Sequence, residues 1–345
     1  MSKKHYIIPI FVPHEGCPHD CVFCNQNKIT GEESKVDSDF VVNTIEEYLG
    51  TINKNDATLE VSFFGGTFTA IDINKQRELL QVAKDYKQKG LINFIRLSTR
   101  PDYIDDFILT HLKEYSVDII ELGVQSLDEE VLLKSGRGHT AEQVGDASRL
   151  IKEYGFILGH QIMVGLPGDD ALKSIDTAKK SIAMGPDICR IYPALTIKDT
   201  MMEKMFLNGD YNPFSLEKAV EVVEEIYKLY IEKNINVIRI GLQPTDNINL
   251  GKDVVAGPFH AAFRELVESK IINDKLFNEL NGYKGEVTVT ISNRSISKLY
   301  ANKKYYFKKL DNSLSDIELK VNVLEKFDIN SISLKSENFI KTIII

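Results

Sequence analysis

Short apolar runs alternate with longer amphipathic segments over the first two hundred residues of the chain. The apolar runs predict β-strands at residues 6–12, 59–64, 94–98, 119–124, 157–164 and 188–192. Between them apolar residues recur at helical spacing, and the predicted helices span residues 38–49, 74–89, 127–135, 141–154 and 174–183. Ser38 is the expected N-cap of the first helix, and Gly50 is its expected end. The repeated strand–helix order predicts a parallel sheet with helices outside it. Such a sheet closes into a barrel or partial barrel, with its chemistry at the C-terminal ends of the strands.

The pattern continues to about residue 283 and then changes. A long amphipathic helix is predicted at 215–233 with Ser215 as its N-cap, and a further strand follows at 237–241. Residues 237–281 are expected to extend the open side of the barrel. After an alternating strand at 286–291 and two short basic helices, strands are predicted near 317–324, 329–334 and 339–345. The chain is therefore expected to divide into an α/β barrel domain, residues 1–283, and a small α+β domain, residues 284–345.

The composition is that of a globular protein without a membrane segment. Apolar residues make up 43% and charged residues 27% of the 345 residues, which excludes a disordered or fibrous chain. No apolar run approaches the ~18 residues that a spanning helix needs. The run at 6–12 is short and contains Pro9, which makes a poor signal peptide. We expect a cytoplasmic protein with no membrane partner.

The negative charge of the chain is concentrated in its first part. The net charge is -8, but residues 284–345 hold 11 Lys and Arg against 7 Asp and Glu. An acidic barrel domain does not attract a polyanion over its whole surface, whereas a basic C-terminal face attracts one locally.

Three of the four cysteines lie within eight residues of each other, in a loop after the first predicted strand. The three are Cys17, Cys21 and Cys24, spaced C-x3-C-x2-C. Three thiolates suit a [4Fe–4S] cluster whose fourth iron is open to an exogenous ligand. The alternative is a zinc site with His14 or His19 as the fourth ligand, although zinc ligands usually come in two pairs and no second pair is present. Cys189, the fourth cysteine, lies in an apolar run and is expected to be a core thiol.

The cysteine spacing, with the aromatic Phe23 before the last cysteine, resembles the signature of the radical SAM superfamily. The resemblance implies a partial (βα)6 TIM-like barrel that carries a [4Fe–4S] cluster at its top. It also implies that S-adenosylmethionine binds the open iron and is cleaved by electron transfer to give a 5′-deoxyadenosyl radical. The cofactor supplies this chemistry, and the protein positions it and excludes water. A reductant such as flavodoxin or ferredoxin is then an expected partner.

Motifs at the ends of the next strands are similar to the positions at which this superfamily binds S-adenosylmethionine. Gly65-Gly66-Thr67 matches the turn that binds the methionine amine, and a plain strand-to-helix turn is the alternative. Arg137, in the segment G-R-G-H-T, offers a fixed fork for the methionine carboxylate, and a surface arginine is the alternative. Ser98 replaces the glutamate common in relatives, so the ribose contact falls to Thr99 or to water. The implied contacts to the cofactor are Phe23, Gly65, Gly66, Thr67, Ser98, Gln125, Arg137 and Gln161.

The set of motifs G-V-Q-S, G-R-G-H-T and I-M-V-G-L-P-G resembles the radical SAM half of elongator-subunit-3-type proteins. The resemblance covers about residues 6–260. Those proteins modify the wobble uridine of tRNA with a radical derived from acetyl-CoA. Their cysteine spacing is longer, and they carry an acetyltransferase domain for which we expect no room here. The acetyl-CoA reaction is therefore not carried over. The same motifs also resemble oxygen-independent coproporphyrinogen oxidases.

The predicted β-α-α-β order after residue 283 resembles the core of a KH domain, whose GxxG loop clamps the nucleic-acid backbone. Here the loop reads Ala301-Asn302-Lys303-Lys304, so the domain is degenerate. Five lysines and no acid lie between Ser295 and Leu310. These lysines either contact RNA phosphates or form a solvated basic face.

Three functions follow as hypotheses. The first is a radical SAM enzyme that modifies RNA, and in particular tRNA. The second is a radical SAM enzyme with a small-molecule or porphyrin-like substrate, and the third is a zinc-binding or scaffold protein without catalysis.

Overall fold

The structure is a computed structural model, and it describes residues 4–12, 17, 19–25, 36–52, 57–242 and 248–345. It divides into two compact units. The first unit comprises Met1–Ala219 and Ile226–Phe259, and the second comprises Val220–Glu225 and His260–Ile345. The expected domain boundary at residue 283 stays a prediction.

A curled, seven-stranded parallel sheet forms the centre of the first unit, in the order β1-β2-β3-β4-β5-β6-β8. Every neighbouring pair is parallel, so each connection crosses over the sheet, mostly through a helix. The strands are β1 (Lys4–Phe11), β2 (Ala57–Phe64), β3 (Phe94–Thr99), β4 (Ile119–Gln125), β5 (Ile157–Val164), β6 (Ile188–Pro193) and β8 (Asn236–Ile240). The predicted partial barrel is confirmed, and β8 extends it as the predicted further strand. A short antiparallel pair, β7 (Thr196–Ile197) and β9 (Val254–Ala256), is added beside it.

Eight helices connect these strands within the described residues. They are α1 (Ser38–Thr51), α2 (Ile73–Gln88), α3 (Asp106–Glu114), α4 (Glu129–Lys134), α5 (Ala141–Glu153), α6 (Ala171–Ala183), α7 (Met201–Asn208) and α8 (Leu216–Glu232). The prediction for α1 was wrong at both ends. Asp37 is the N-cap because its carboxylate accepts from Phe40 N, and the helix runs through Gly50. Helix α3 was not predicted.

Strands β2 to β6 of the first unit are largely buried on both faces, as parallel strands covered by helices are. In β2, Val61 and Phe63 are fully buried, but so are Glu60 and Ser62, which alternate with them. The face of the sheet that lies inside the barrel therefore carries charged groups that water does not reach.

The second unit has a four-stranded sheet in the order β11-β10-β12-β13. Its strands are β10 (Gly285–Ser292), β11 (Ile317–Leu324), β12 (Ser331–Lys335) and β13 (Ile340–Ile344), and its helices are α9 (Phe263–Leu280), α10 (Ile296–Leu299) and α11 (Ala301–Ser313). Strands β10 and β11 are parallel, and the other pairs are antiparallel. The predicted β-α-α-β order is confirmed. Among the helices in the described ranges, none combines the length and apolar character needed to cross a bilayer.

Candidate active site

All the residues predicted to hold the cluster or its ligand line one cavity of the first unit. The cavity has a volume of about 710 Å³, which is in the usual range for small-molecule sites. It is lined by the predicted residues Cys17, Cys21, Phe23, Cys24, Gly65, Gly66, Thr67, Ser98, Gln125, Arg137 and Gln161. They come from the cysteine loop, from or just after the C-terminal parts of four strands, and in the case of Arg137 from the loop between α4 and α5. A barrel of this type places its chemistry at that end of its strands. Their individual roles stay predictions.

Backbone hydrogen bonds fix the cysteine loop, residues 19–25 with Cys17, at two points. Val22 N donates to the carbonyl of Ser135 (3.1 Å) at the end of α4. Met202 N, at the start of α7, donates to the carbonyl of Val22 (2.7 Å). Within the loop, Cys24 N donates to the carbonyl of Cys21 (2.9 Å), so these two cysteines occupy one tight turn.

The loop also rests on a glycine of the G-R-G-H-T segment. Gly138 has a φ of +74°, and a Cβ at this position would lie 2.4 Å from the His19 ring. The left-handed backbone disfavours any side chain at this position, and a Cβ there would also have to displace the His19 ring. The His19 ring lies 3.9 Å from the Asp102 carboxylate.

Arg137 connects this segment to the cysteines. Its Nη1 donates to Cys21 Sγ (3.1 Å), and its Nη2 donates to the carbonyl of Gly123 (2.5 Å). The side chain is only 6% exposed, so its planar fork has a fixed orientation.

The Gly-Gly-Thr turn directly follows β2 and lines the same cavity. Gly65 has a φ of +84°, and a Cβ there would lie 2.6 Å from the carbonyl oxygen of Val12. Val12 is the last described residue before the cysteine loop. The glycine therefore lets the end of β2 approach the chain just before the cysteines.

Five buried polar atoms of this cavity have no hydrogen-bond partner among the described residues, and they test whether the residues fit the expected cofactors. Buried side-chain atoms without a hydrogen-bond partner among the described residues include Thr67 Oγ1, Arg100 Nη1, Gln125 Oε1, Arg137 Nε and Arg190 Nη2. All five of these residues line the cavity. Because buried polar groups are normally paired, donors and acceptors left here suit a bound zwitterionic ligand such as S-adenosylmethionine. Three cysteines in the same cavity suit a cluster in which each thiolate binds a different iron.

Of the two histidines that the zinc alternative names, His14 lies outside the described residues. Within them, no three side chains of His, Cys, Asp or Glu converge on one ion position.

Other predicted positions differ in how they face the cavity. Ser98 Oγ donates to Glu121 (3.4 Å) and lines the cavity. His160 points away from it, because its ring is held between the hydroxyls of Ser148 (2.9 Å) and Ser181 (2.8 Å). Cys189 is fully buried, and burial raises the pKa of its thiol to about 12, as expected for a core thiol.

The sequence interpretation missed a buried ion network inside the barrel. Arg96 donates to Glu60 (2.9 Å) and to Glu121 (2.7 Å), and Arg190 Nε donates to the same Glu121 oxygen (2.8 Å). Although burial opposes its charge, Glu121 holds the pKa of Arg190 above its usual value. The signal was present, because each member is the single charged residue in a run that was predicted as an apolar strand.

Comparisons with known proteins agree with this geometry. A model of the radical SAM superfamily matches residues 11–179, and a model of the radical SAM C-terminal domain matches residues 186–273. A tRNA uridine(34) acetyltransferase of Methanocaldococcus jannaschii is 26% identical over 257 residues, which cover 63% of this chain and 47% of that protein. Human Elongator complex protein 3 is 31% identical over 152 residues, which cover 43% of this chain and 28% of that protein. The chain thus spans about half the length, or less, of these curated relatives.

Solved structures show the same fold. The archaeal Methanocaldococcus infernus Elp3 with an N-terminal deletion superposes with a TM-score of 0.62 at 21% identity, over 80% of this chain and 64% of that one. Native anSMEcpe with bound AdoMet superposes with a TM-score of 0.50 at 16% identity, over 68% of this chain and 64% of that one.

Proposed function

The chain belongs to the radical SAM superfamily, and from this premise we propose that it carries out radical chemistry on RNA, with tRNA as the first substrate to test. It is a radical SAM enzyme whose cofactors are a [4Fe–4S] cluster and S-adenosylmethionine. When bound and reduced, they supply a 5′-deoxyadenosyl radical that abstracts a hydrogen atom from substrate. A flavodoxin or ferredoxin is the proposed electron donor, in the cytoplasm.

In this proposal Cys17, Cys21 and Cys24 hold the cluster. Arg137 donates to Cys21 Sγ (3.1 Å), and a donor that holds a metal ligand in this way orients the ligand and tunes the metal. The observation that carries the proposal is that all three cysteines and the unpartnered polar atoms share one cavity.

The other side of the cavity positions S-adenosylmethionine. Thr67 Oγ1 and Gln125 Oε1 are buried acceptors without a partner, which suits an ammonium group. The unpartnered Nε of Arg137 and Nη1 of Arg100 are donors, which suit a carboxylate. The remaining proposed contacts, from Phe23, Gly65, Gly66, Ser98 and Gln161, enclose the ligand and exclude water from it.

Two observations support RNA as the substrate: the similarity to tRNA uridine(34) acetyltransferases, and the backbone of the loop at residues 301–304 in the second unit. Asn302, Lys303 and Lys304 have φ values of 49°, 54° and 66°, so the start of α11, where the turn was predicted, has a left-handed backbone. Such residues cost roughly 1–2 kcal/mol each in this conformation, and strain of this kind clusters at ligand-binding segments. Lys303 and Lys304 are exposed, where they can meet phosphates.

Binding of the full chain to bulk tRNA tests this part of the proposal. We expect the double variant Lys303→Glu, Lys304→Glu to bind more weakly and to lower the slope of log K against log salt by about 2. The matched control is Lys326→Glu, Lys335→Glu, which makes the same charge change at exposed positions of the same unit. Equal losses in both variants, or no salt dependence in the wild type, would contradict an RNA-binding loop.

Modified nucleosides test the reaction itself. Their masses are compared between cells with and without the gene, and again in cells that express only Cys24→Ala. We expect one tRNA nucleoside to disappear in both deficient strains. An unchanged nucleoside profile would favour the small-molecule alternative.

A further inference from the structure

Four aromatic side chains lie close together in sequence around the start of α11, and they are of two kinds. Tyr300 and Phe307 pack against the apolar core of the second unit, and their rings meet edge to face with centroids 4.9 Å apart. Tyr305 and Tyr306 are not among the described residues that pack against this core. Two large rings are therefore held at the surface of the unit.

The helical period explains why Tyr305 faces outward. From residue 305 onward α11 has regular helical geometry, and Phe307 and Leu310 lie on its inner side, in contact with the core. Because each residue turns a helix by about 100°, Tyr305 lies on the side opposite to these two. A ring in this position gains little from burial, so the stability of the core does not account for it.

Lysines surround the two surface tyrosines. No acidic residue occurs at positions 296–309, although the chain as a whole has a net charge of -8. Four lysines lie within three or four residues of the tyrosines along the chain and are exposed, namely Lys303, Lys304, Lys308 and Lys309. A positive surface of this kind attracts a polyanion, and the interleaved rings distinguish it from a simple solvated basic face.

The ring contacts give Tyr305 a defined orientation. Tyr306 meets it edge to face, with centroids 5.1 Å apart and an angle of 81° between the ring planes. The Lys309 ammonium lies over the Tyr305 ring at 4.5 Å, and the Lys304 ammonium lies over the Tyr300 ring at 4.2 Å. Because both lysines are exposed and flexible, their ammoniums can move to phosphates, which opens the face of a ring to a planar base.

We propose that Tyr305 and Tyr306 and the four lysines around them form a stacking surface for single-stranded RNA. Unpaired bases stack on the tyrosine rings while the ammoniums contact the phosphates on either side. Rings beside positive charge bind single strands in this way because every base has a π face, and in a duplex that face is covered by its neighbours. The inference rests on the proposed function, because it takes RNA as the ligand of this unit, and it adds that the bound segment is unpaired.

Fluorescence anisotropy of the full chain with two RNA probes tests the stacking surface. The probes are a labelled oligouridine of about twelve nucleotides and the same strand paired with oligoadenosine. A surface that binds through charge alone favours the duplex, because the duplex carries more charge per unit length. We expect the wild type to bind the single strand about tenfold more tightly than the duplex.

Tyr305→Ala should remove that preference. We expect it to weaken single-strand binding about tenfold, as the loss of one stacked base does, and to leave duplex binding unchanged. The slope of log K against log salt should stay the same, because no charge is removed. The variant is expected to fold, since Tyr305 faces away from the core, and circular dichroism verifies this.

Two further variants isolate the ring. Tyr305→Phe keeps an aromatic face and is expected to restore most of the binding that Tyr305→Ala loses. Phe107→Ala removes an aromatic side chain that is 62% exposed on α3 of the first unit, and it should change the affinity for neither probe.

Three results would overturn the stacking surface. One is a wild type that binds the duplex as tightly as the single strand, or more tightly. Another is a folded Tyr305→Ala variant that binds the single strand as tightly as the wild type does. The third is displacement of the oligouridine by polyglutamate of equal charge, because the surface would then bind acidic protein segments through charge alone.

The charge variant Lys303→Glu, Lys304→Glu separates this inference from the proposed function. Binding that favours the duplex and is weakened in this variant refutes the stacking surface and leaves an RNA-binding loop. Absence of binding to both probes refutes the stacking surface and the RNA-binding loop together. A tRNA nucleoside that disappears in the deficient strains, with single-strand binding that does not depend on Tyr305, leaves the RNA function without the stacking surface.

Discussion

The barrel cavity and the loop of the second unit both carry positive charge, but they hold it in opposite ways. Arg137 and Arg190 are 6% and 7% exposed and are fixed by short contacts to Cys21, Gly123 and Glu121. Lys303 and Lys304 are exposed, and the Lys304 ammonium lies over the Tyr300 ring at 4.2 Å. Fixed, desolvated guanidiniums can orient a ligand at particular atoms, whereas solvated ammoniums attract a polyanion without orienting it. We therefore expect abrupt losses from changes in the cavity and graded, salt-dependent losses from changes in the loop.

Removal of a cluster ligand should have the largest effect. Cys17→Ala, Cys21→Ala and Cys24→Ala are each expected to lower iron and sulfide content to background and to abolish cleavage of S-adenosylmethionine, because a cubane held by two thiolates is not retained. The matched control is Cys189→Ala, which removes a buried thiol of raised pKa and should keep full iron content. Cleavage that persists in any of the three variants would contradict the ligand assignment.

A methyl group at Gly65 should have the next largest effect. At a φ of +84° and 2.6 Å from the Val12 carbonyl, Gly65→Ala must displace the chain that enters the cysteine loop. We expect a loss of unfolding free energy of about 1–3 kcal/mol and a clear loss of affinity for S-adenosylmethionine. Gly50→Ala is the control, because Gly50 lies within α1 with open space around it, and we expect it to stabilise the protein by about 0.5–1 kcal/mol. Thermal melting and equilibrium dialysis check both, and equal behaviour would contradict the close approach.

Arg137→Lys should have a smaller effect that isolates geometry from charge. The ammonium keeps the positive charge but cannot donate to Cys21 Sγ and to the Gly123 carbonyl from one planar fork. We expect the Kd for S-adenosylmethionine to rise on the order of tenfold. Arg149→Lys, on the exposed surface of α5, should leave the Kd unchanged. A normal Kd in Arg137→Lys would mean that charge alone matters there.

Acid pH should destabilise the first unit by a smaller, gradual amount. Burial lowers the pKa of His139 and of His160 to about 3. Their contribution to stability is therefore complete above about pH 6.5 and is lost progressively as the pH falls towards about 3. Burial raises the pKa of Asp169 to about 6, so its protonation stabilises the folded protein as the pH falls from 6 to 4. This gain offsets the stability lost through one of the histidines.

Asp169→Asn removes that offset. Between pH 6 and pH 4 we expect its unfolding free energy to fall about 1.4 kcal/mol per pH unit more steeply than that of the wild type. Urea denaturation at several pH values measures the difference. Parallel curves for the two proteins would show that Asp169 does not titrate in this range.

The sequence predicted the strands of the barrel better than its interior. Each strand is a short apolar run that ends at a turn residue, and such runs are visible without tertiary information. Helix α3 was missed because it is short and begins with the polar pair Asp105 and Asp106, and only its packing shows that Leu109 and Leu112 are buried. The N-cap of α1 was misplaced by one residue because Asp37 and Ser38 are both good caps, and the choice depends on which oxygen reaches Phe40 N.

The spacing of the motifs correctly predicted that the cysteines and the expected cofactor contacts lie in one cavity. The reason is that the C-terminal ends of parallel strands meet at one edge of the sheet. The spacing did not reveal the buried ion network of Glu60, Arg96, Glu121 and Arg190. That network depends on the register between neighbouring strands, which no strand's own sequence specifies.

Electron paramagnetic resonance of the anaerobically reconstituted, reduced protein, recorded with and without S-adenosylmethionine, tests the central claim most directly. We predict the signal of a reduced [4Fe–4S] cluster that changes when S-adenosylmethionine is added and is absent in Cys21→Ala. A colourless protein that carries stoichiometric zinc and gives no signal would contradict the account.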